Sequence, residues 1–516
     1  MRKKILIVMA VLFIFLLGKP FNTTAQFSLN GQLRTRSEFR DGYATFNKDT
    51  SAAFFTSQRS RLSFGYKWDK INFNVSIQDI RVWGQDASSI SNADGNRLMV
   101  HEAWAEVTLL NSKDTSIKTK LIDNLSFKIG RQALIYDDVR LLGDIDWLQQ
   151  SRRHDALLLK AVHHGWQFDL GAGFNQNNDN AGNVGTGYVA GNVPQYITNS
   201  AGLLVATPAG LMPLSMGGTV SGKSNAAGSP ILVNSISSNA LNQQYKAMQM
   251  LYVSHKFNQT KFSALFFKDD FGKFRLDSVN SGGGYVYGRR YDVKGVNSRI
   301  TYGAMLNGTT GKATSTFKTL WQAAAYFQTG RDKDGYDLKA AHYNAYFMLQ
   351  KGKFTSGPGI DYLSGNSPSM PAGENHRFDP LYGTAHRHWG YMDYFYAGSG
   401  SAVGGLINPY FKTKFTTKDF FLALDIHNFS LAKPMLNTLE TDKPEFNKNM
   451  GFEFDFIANY TLNKFTTLEL GYSFMKGTNT LEFVKKGTVN TYNRSPNWAY
   501  LMINIKPDFI PHPQKG

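Results

Sequence analysis

Residues 27–40 alternate between two kinds of side chain. Phe27, Leu29, Leu33 and Phe39 fall on one side, with Gly31, Thr35 and Ser37 between them; Ser28, Asn30, Gln32, Arg34, Arg36, Glu38 and Arg40 fall on the other. A period of two held this long describes a strand with one apolar and one polar face, whereas a helix would scatter the arginines around its axis. The pattern returns. Residues 58–68 set Leu62, Phe64, Tyr66 and Trp68 against Arg59, Arg61, Ser63 and Lys67. Residues 71–77 alternate Ile71, Phe73, Val75 and Ile77 with Asn72, Asn74 and Ser76, and residues 166–175 alternate Trp166, Phe168, Leu170 and Phe174 with Gln167, Asp169 and Asn175.

About eighteen such segments are predicted along the chain, near 27–40, 55–68, 70–83, 97–110, 123–132, 153–164, 165–176, 242–257, 260–270, 296–308, 315–330, 336–351, 353–364, 404–415, 418–431, 451–463, 465–476 and 497–506. The link after each even-numbered segment tends to be tight, as at Trp68-Asp69-Lys70, His163-His164-Gly165, Lys351-Gly352-Lys353 and Asn463-Lys464. Links after odd-numbered segments are usually long and rich in Gly, Asn, Ser and Asp, with 177–241 and 365–403 the extremes; 111–122 and 331–335 break the rule mildly. Short turns on one rim and long loops on the other are the plan of outer-membrane barrels. Lipid offers no partner to an open sheet edge, so the sheet must close. The fold class expected is all-β: a closed transmembrane antiparallel β-barrel of about 18 strands, with short periplasmic turns and long extracellular loops. A soluble β-helix or sandwich would need a fixed repeat period, and none is visible.

The start of the chain differs. Arg2, Lys3 and Lys4 precede an unbroken apolar run from Ile5 to Leu17, and Thr23-Thr24-Ala25 supplies small residues for cleavage. That run is too short for a spanning helix. Residues 1–25 are therefore expected to be a cleaved signal peptide, and 26–516 the barrel. The absence of Cys removes lipoprotein anchoring, thiolate metal sites and Cys nucleophiles. The net charge of +17 would become +13 once Arg2, Lys3, Lys4 and Lys19 left with the leader. In an exported chain such a surplus points to an anionic ligand or membrane surface rather than nucleic acid.

If the polar faces line a lumen, Arg34, Arg36 and Arg40 of the first strand stand beside Arg59 and Arg61 of the second and Arg81 of the third. Guanidinium groups stay charged and bind carboxylates bidentately, so this stack would attract anions through many exchangeable contacts. The alternative is bracing of the wall, with Glu38, Asp79, Glu102 and Glu106 as partners. A second concentration lies between Gly130 and Asp155: Arg131, Asp137, Asp138, Arg140, Asp144, Asp146, Arg152, Arg153 and Asp155, with Trp147 and Gln149. This connection either folds into the pore and narrows it or stays a solvated surface loop. His386-Arg387-His388 has two-His spacing on one strand face but lacks neighbouring carboxylates, so no metal is expected. No nucleotide-binding glycine loop occurs, and none of the eleven His residues is followed two positions later by Ser, the arrangement of outer-membrane phospholipases. Neither a cofactor nor an enzymatic activity is expected.

Several stretches then resemble the alginate-export family of outer-membrane porins. They are Gln78-Asp79-Ile80-Arg81-Val82-Trp83-Gly84, His101-Glu102-Ala103-Trp104-Ala105-Glu106, Gly130-Arg131-Gln132, Asp137-Asp138-Val139-Arg140, Arg153-His154-Asp155-Ala156, Tyr326-Phe327-Gln328-Thr329-Gly330, and the run Phe378-Asp379-Pro380-Leu381-Tyr382-Gly383-Thr384-Ala385-His386. The resemblance implies an eighteen-stranded monomeric barrel whose Arg-rich lumen conducts an acidic polysaccharide, aided by periplasmic export proteins. It also implies that Arg131, Arg140, Arg152 and Arg153 line or gate a constriction; Asp137, Asp138 and Asp155 of the same charged connection, and Glu102 and Glu106 of the wall, are expected beside them. The other reading is a porin for inward diffusion of small anionic or nutrient solutes.

Overall fold

The computed structural model describes residues 26–48, 51–85, 98–112, 122–177, 188–189, 193–214, 223–224, 230–231, 237, 245–311, 314–395 and 402–510. The expected leader, 1–25, lies outside them, as does much of 177–241.

Among the described residues, eighteen long strands form one antiparallel sheet. They are β1 (Gln26–Asp41), β2 (Ala53–Trp68), β3 (Ile71–Val82), β4 (Met99–Asn111), β5 (Asn124–Gln132), β6 (His154–His163), β7 (Trp166–Phe174), β8 (Ala247–Phe257) and β9 (Thr260–Gly272). There follow β10 (Val296–Thr310), β11 (Phe317–Arg331), β12 (Asp337–Lys351), β13 (Phe354–Leu363), β14 (Leu406–Thr416), β15 (Phe420–Ser430), β16 (Asn449–Asn463), β17 (Thr466–Gly477) and β18 (Asn497–Ile505). Each pairs with its chain neighbour, and β1 pairs with β18 from Leu33↔Ile505 to Asp41↔Asn497, which shuts the cylinder. The barrel expectation holds, strand for strand. The eighth strand begins at Ala247 rather than 242, because residue 246 still belongs to the incoming loop.

Alternation sorts the side chains as a membrane barrel requires, apolar outward and polar inward. Phe54, Leu170, Phe347, Phe411 and Leu501 lie bare on the outer surface, Phe54 at 74% exposure. Each such side chain moved from water into hydrocarbon contributes about 1.5–3 kcal/mol. Inside, Arg59, Gln78, Gln132, Asp269, Asp361 and Glu453 are all 0% exposed. Buried polar groups of this density survive only when paired, so something in the lumen must pair them.

Two features escaped the periodicity. A hairpin of Arg275–Ser281 and Gly284–Arg290, joined by Leu211–Pro213, forms a small sheet on the extracellular side. The helix α1 (Asn479–Lys486) lies in the last long loop, capped by the Thr478 hydroxyl, which accepts from Leu481 N–H, and ended by Gly487 at φ +70°.

Candidate functional site

The lumen is crossed by two connections that fold inward. The first, 133–153 between β5 and β6, touches three parts of the wall. Its Asp137 accepts from Tyr252 Oη (2.7 Å), Lys261 Nζ (2.9 Å) and Ser263 Oγ (2.8 Å) on β8 and β9. Asp138 accepts from Gln322 Nε2 on β11 (2.7 Å) and pairs closely with Arg140, which also reaches Asp361 on β13 at 3.0 Å. On the far side, Asp146 meets Arg59 (2.9 Å), Arg34 (3.3 Å) and Arg61 (3.7 Å).

The strand register explains that last cluster. Arg34 stands directly opposite Arg59, and Arg61 opposite Gln32. Like charges facing each other across a ladder destabilise it, and the loop carboxylate between them offsets the repulsion. Arg34 also donates to the Asp146 carbonyl (2.7 Å) and the Gln149 side chain (2.9 Å), while Arg36 donates to the Trp147 carbonyl (2.8 Å) and lies over its ring at 4.0 Å. Burial alone would raise the Asp146 carboxyl, but Arg59 first, then Arg34, hold its pKa at about 2. The carboxylate is therefore charged at any physiological pH.

The second connection, 364–405 between β13 and β14, descends onto the first. Leu142 and Tyr382 form a parallel bridge, and backbone bonds join Tyr382 N–H to Leu141 O (2.9 Å) and Thr384 N–H to Val139 O (2.7 Å). The chains pass so close that a Cβ on Gly383 would lie 1.7 Å from the Arg140 carbonyl oxygen. Only glycine fits there. His386 stacks on Trp147 with centroids 4.3 Å apart and bonds Asp393 at 2.9 Å; His388 Nε2 lies 2.9 Å from the Asp138 carbonyl. Asp137, Val139, Ile145 and Ser151 in the first loop, and Leu381 and Asp393 in the second, all sit at φ between +47° and +63°. β-branched residues in that region are strained, which marks Val139 and Ile145 as held by their surroundings.

Beneath the interlock a cavity of about 720 Å³ opens toward the short-turn rim. Arg34, Arg387, Lys412 and Lys414 supply positive charge, Asp146, Asp425 and Glu469 negative, and Trp147, Tyr391 and Tyr500 ring surface. Lys412 pairs with Asp425 at 2.7 Å. A smaller space of about 230 Å³ lies on the other flank of the first loop, against Arg61, His101 and Glu102.

The fold is that of a closed outer-membrane-type β-barrel. A family model described as "Alginate export" matches residues 25–173. The first part of the chain is thus similar to that family. The barrel also superposes on OccAB4 of Acinetobacter baumannii (11% identity, TM-score 0.53, covering 95% of this chain and 100% of that one). OccD3 (OpdP) of Pseudomonas aeruginosa gives 10% identity and a TM-score of 0.52, covering 95% of each chain. The same organism's OpdK, solved with vanillate, gives 10% identity and 0.50, covering 93% and 99%. At these identities the likeness is one of fold. Among curated proteins, none matches the sequence.

The expected site residues divide. Arg34, Arg36, Arg59 and Arg61 face the lumen and meet on the first loop, and Arg40 shares Glu38 with Arg36 nearer the outer mouth (2.7 and 2.8 Å). Glu102 and Glu106 also face inward, Glu102 accepting from Ala133 N–H (3.1 Å) and Glu106 from Lys160 (3.0 Å) and Ser126 (2.7 Å). Asp137, Asp138 and Arg140 form the crossing itself. Arg152 bonds the Gly383 carbonyl at 3.2 Å and so belongs to the interlock.

Three placements are corrections. Arg81 pairs in register with Gln58, one step off the inward Arg59, so it lies on the outer face and holds Asp79 at 2.7 Å. Arg131 and Asp155 face each other in register on β5 and β6 and form a two-pronged pair at 2.9 Å, exposed on the outer face, because their neighbours Gln132 and His154 are the inward pair. Arg153 lies half-buried next to the start of β6, donating to Gln150 O (3.4 Å) and Met99 Sδ (3.5 Å). His386 and His388 lie on a 3₁₀ turn and its end, not on a strand, and no group of three metal-ligating side chains occurs among the described residues.

Sequence reasoning missed the second loop and the far wall. Lys412 and Lys414 on β14, and Asp425 on β15, obey the same two-residue period that exposed the arginines. The aromatic density of 378–395, unusual for a connection in water, was the signal for inward folding.

Proposed function

We propose that the chain is a substrate-selective channel for small organic anions, with Arg34, Arg36, Arg59 and Arg61 as the wall that draws carboxylates toward the constriction. The observation that carries this is the interlock. Two loops cross the lumen and leave a cavity of about 720 Å³, the size of a single small-molecule site rather than a polymer tunnel. Its cations, Arg34, Arg387, Lys412 and Lys414, suit a carboxylate, and Trp147, Tyr391 and Tyr500 suit a flat organic body. OpdK, of the same fold, has been solved with vanillate, an aromatic carboxylate. A second reading, passage of an acidic polysaccharide, is favoured by the alginate-export match over residues 25–173. Residues 1–25 belong to this proposal as a removed leader; the mature protein should then begin at Gln26.

Planar-bilayer recording separates the readings. The small-anion channel predicts anion-selective reversal potentials, measurable vanillate current, and no effect of an acidic oligosaccharide. Block or passage of the oligosaccharide, with vanillate inert, supports the polysaccharide reading instead.

A further inference from the structure

The short turns of the barrel are unequal in charge. Three successive hairpin ends, β12–β13, β14–β15 and β16–β17, hold Lys351, Lys353, Lys418 and Lys464, all exposed, against one carboxylate, Asp419. The β6–β7 and β8–β9 turns, 164–165 and 258–259, carry no Lys, Arg, Asp or Glu, and the β2–β3 turn has one of each sign, Asp69 and Lys70. Other lysines at this rim belong to the lumen. Lys256 stands opposite Lys261, which reaches inward to Asp137; Lys67 shares the inward parity of Arg59; Lys414 and Lys506 line inner spaces. Among the described residues, none of the four outer lysines lies in an ion pair, and the Asp419 carboxylate holds none of them.

The three hairpin ends are tied into one platform. Thr416 N–H donates to the Lys353 carbonyl (2.8 Å) and Thr461 N–H to the Asp419 carbonyl (2.7 Å), so each end is bonded to the next. On the flanks, Gly352 N–H donates to Thr316 O (3.2 Å) and Lys506 N–H to Phe465 O (2.7 Å). Neighbouring strands stand about 4.8 Å apart, so successive hairpin ends recur roughly every 10 Å. Cations held on such an arc repel one another unless an anion lies between them.

The flanks of the arc say what that anion is attached to. Phe317, Phe354, Phe420 and Phe465 are exposed beside these lysines, and the Lys351 and Lys464 ammonium groups lie over Phe317 (6.0 Å) and Phe465 (4.6 Å). Outward rings at the end of a membrane barrel mark the hydrocarbon boundary, and a lysine beside them carries its ammonium to the headgroup level. Turns this short lie flush with the bilayer, where the neighbouring anions are lipid phosphates.

We propose that this arc is a binding surface for anionic phospholipid in the leaflet at the short-turn rim, with phosphate against Lys353, Lys418 and Lys464 and acyl chains against the exposed phenylalanines. A headgroup with two phosphates, such as that of cardiolipin, meets two adjacent hairpin ends at once. The inference rests on the barrel alone and is independent of which solute the lumen carries.

The test is titration of the detergent-solubilised full chain with cardiolipin, the bound lipid counted by native mass spectrometry. Wild type is compared with Lys418→Gln/Lys464→Gln and with Lys67→Gln/Lys256→Gln, two variants that lose equal charge; heat-shifted gel mobility checks that each is folded. The proposal expects cardiolipin to bind about tenfold more weakly to the first variant and as in wild type to the second. It also expects phosphatidylcholine to be retained far less than cardiolipin. Equal affinities in all three folded proteins, equal losses in both variants, or phosphatidylcholine held as well as cardiolipin would overturn it. Displacement of cardiolipin by inorganic phosphate at equal concentration would overturn it too, because the surface would then recognise phosphate without the lipid.

Discussion

The two loops that fill the lumen are held by opposite kinds of force. The first, 133–153, is anchored by charge: Asp137 on Lys261, Arg140 on Asp361, and Asp146 on Arg34, Arg59 and Arg61. The second, 364–405, is anchored by packing. Phe378, Leu381, Tyr382, Trp389, Met392, Tyr394 and Phe395 are almost fully buried, against Phe46, Phe429, Met450 and Leu481 from the wall and outer loops. Packed side chains have no soluble competitor. Ionic anchors do, because a solute carboxylate offers Arg34 and Arg59 what Asp146 offers them. The second loop is thus the fixed wall of the constriction, and the first is the part a passing anion can engage.

The comparison breaks most visibly in the packed loop. Phe395→Ala removes a ring whose centroid lies 4.6 Å from that of Phe429, tilted against it, and should cost about 3–5 kcal/mol of local stability. Trypsin should then cut at Arg387, and single-channel conductance should rise. Retained protection would mean that the packing does not hold this loop.

Asp146→Asn tests the ionic anchor. Three arginines lose their shared carboxylate, at a cost of about 2 kcal/mol because that carboxylate is partly hydrated. Conductance should increase moderately and anion preference should sharpen. A shift toward cations would contradict the anchoring role.

The pH response should separate the loops. Burial, reinforced by Arg140, holds the His388 imidazole well below its ordinary value of 6.5. The released loop takes up a proton that the docked loop refuses, so docking of the second loop weakens as pH falls below about 6.5. Asp146, depressed from 3.8 to about 2, stabilises the first loop above pH 4 and loses that contribution only as pH falls toward 2. Spin labels at Gln150→Cys and Arg387→Cys, introduced into a chain without cysteine, should therefore become mobile in the order second loop, then first. The reverse order would contradict the assignment. The smallest effect belongs to Arg131→Gln, which breaks an exposed outer pair worth about 0.5 kcal/mol and should leave conductance and selectivity unchanged.

How far the sequence could be read follows the same division. The barrel was legible because lipid outside and water inside impose a period of two on every strand, and the arginines of β1 and β2 stood out against it. Arg81 and Arg131 were misplaced by one step: the inward residues near them are the neutral Gln78 and Gln132, and charge alone does not reveal parity. The partner of Arg34 and Arg59 was hidden, since Asp146 lies more than eighty residues away and its pairing depends on how the loop enters the lumen. The second loop was hidden more deeply. Aromatic packing within a connection follows no period, so only composition hinted at it.

The most direct test of the account is the single-channel conductance of a variant in which residues 137–150 are replaced by a short Gly-Ser linker, against wild type at the same salt. The account predicts a conductance several-fold larger, with acidic oligosaccharides newly able to enter. A conductance equal to that of wild type would show that the charged loop does not restrict the lumen, and the constriction would have to be sought elsewhere.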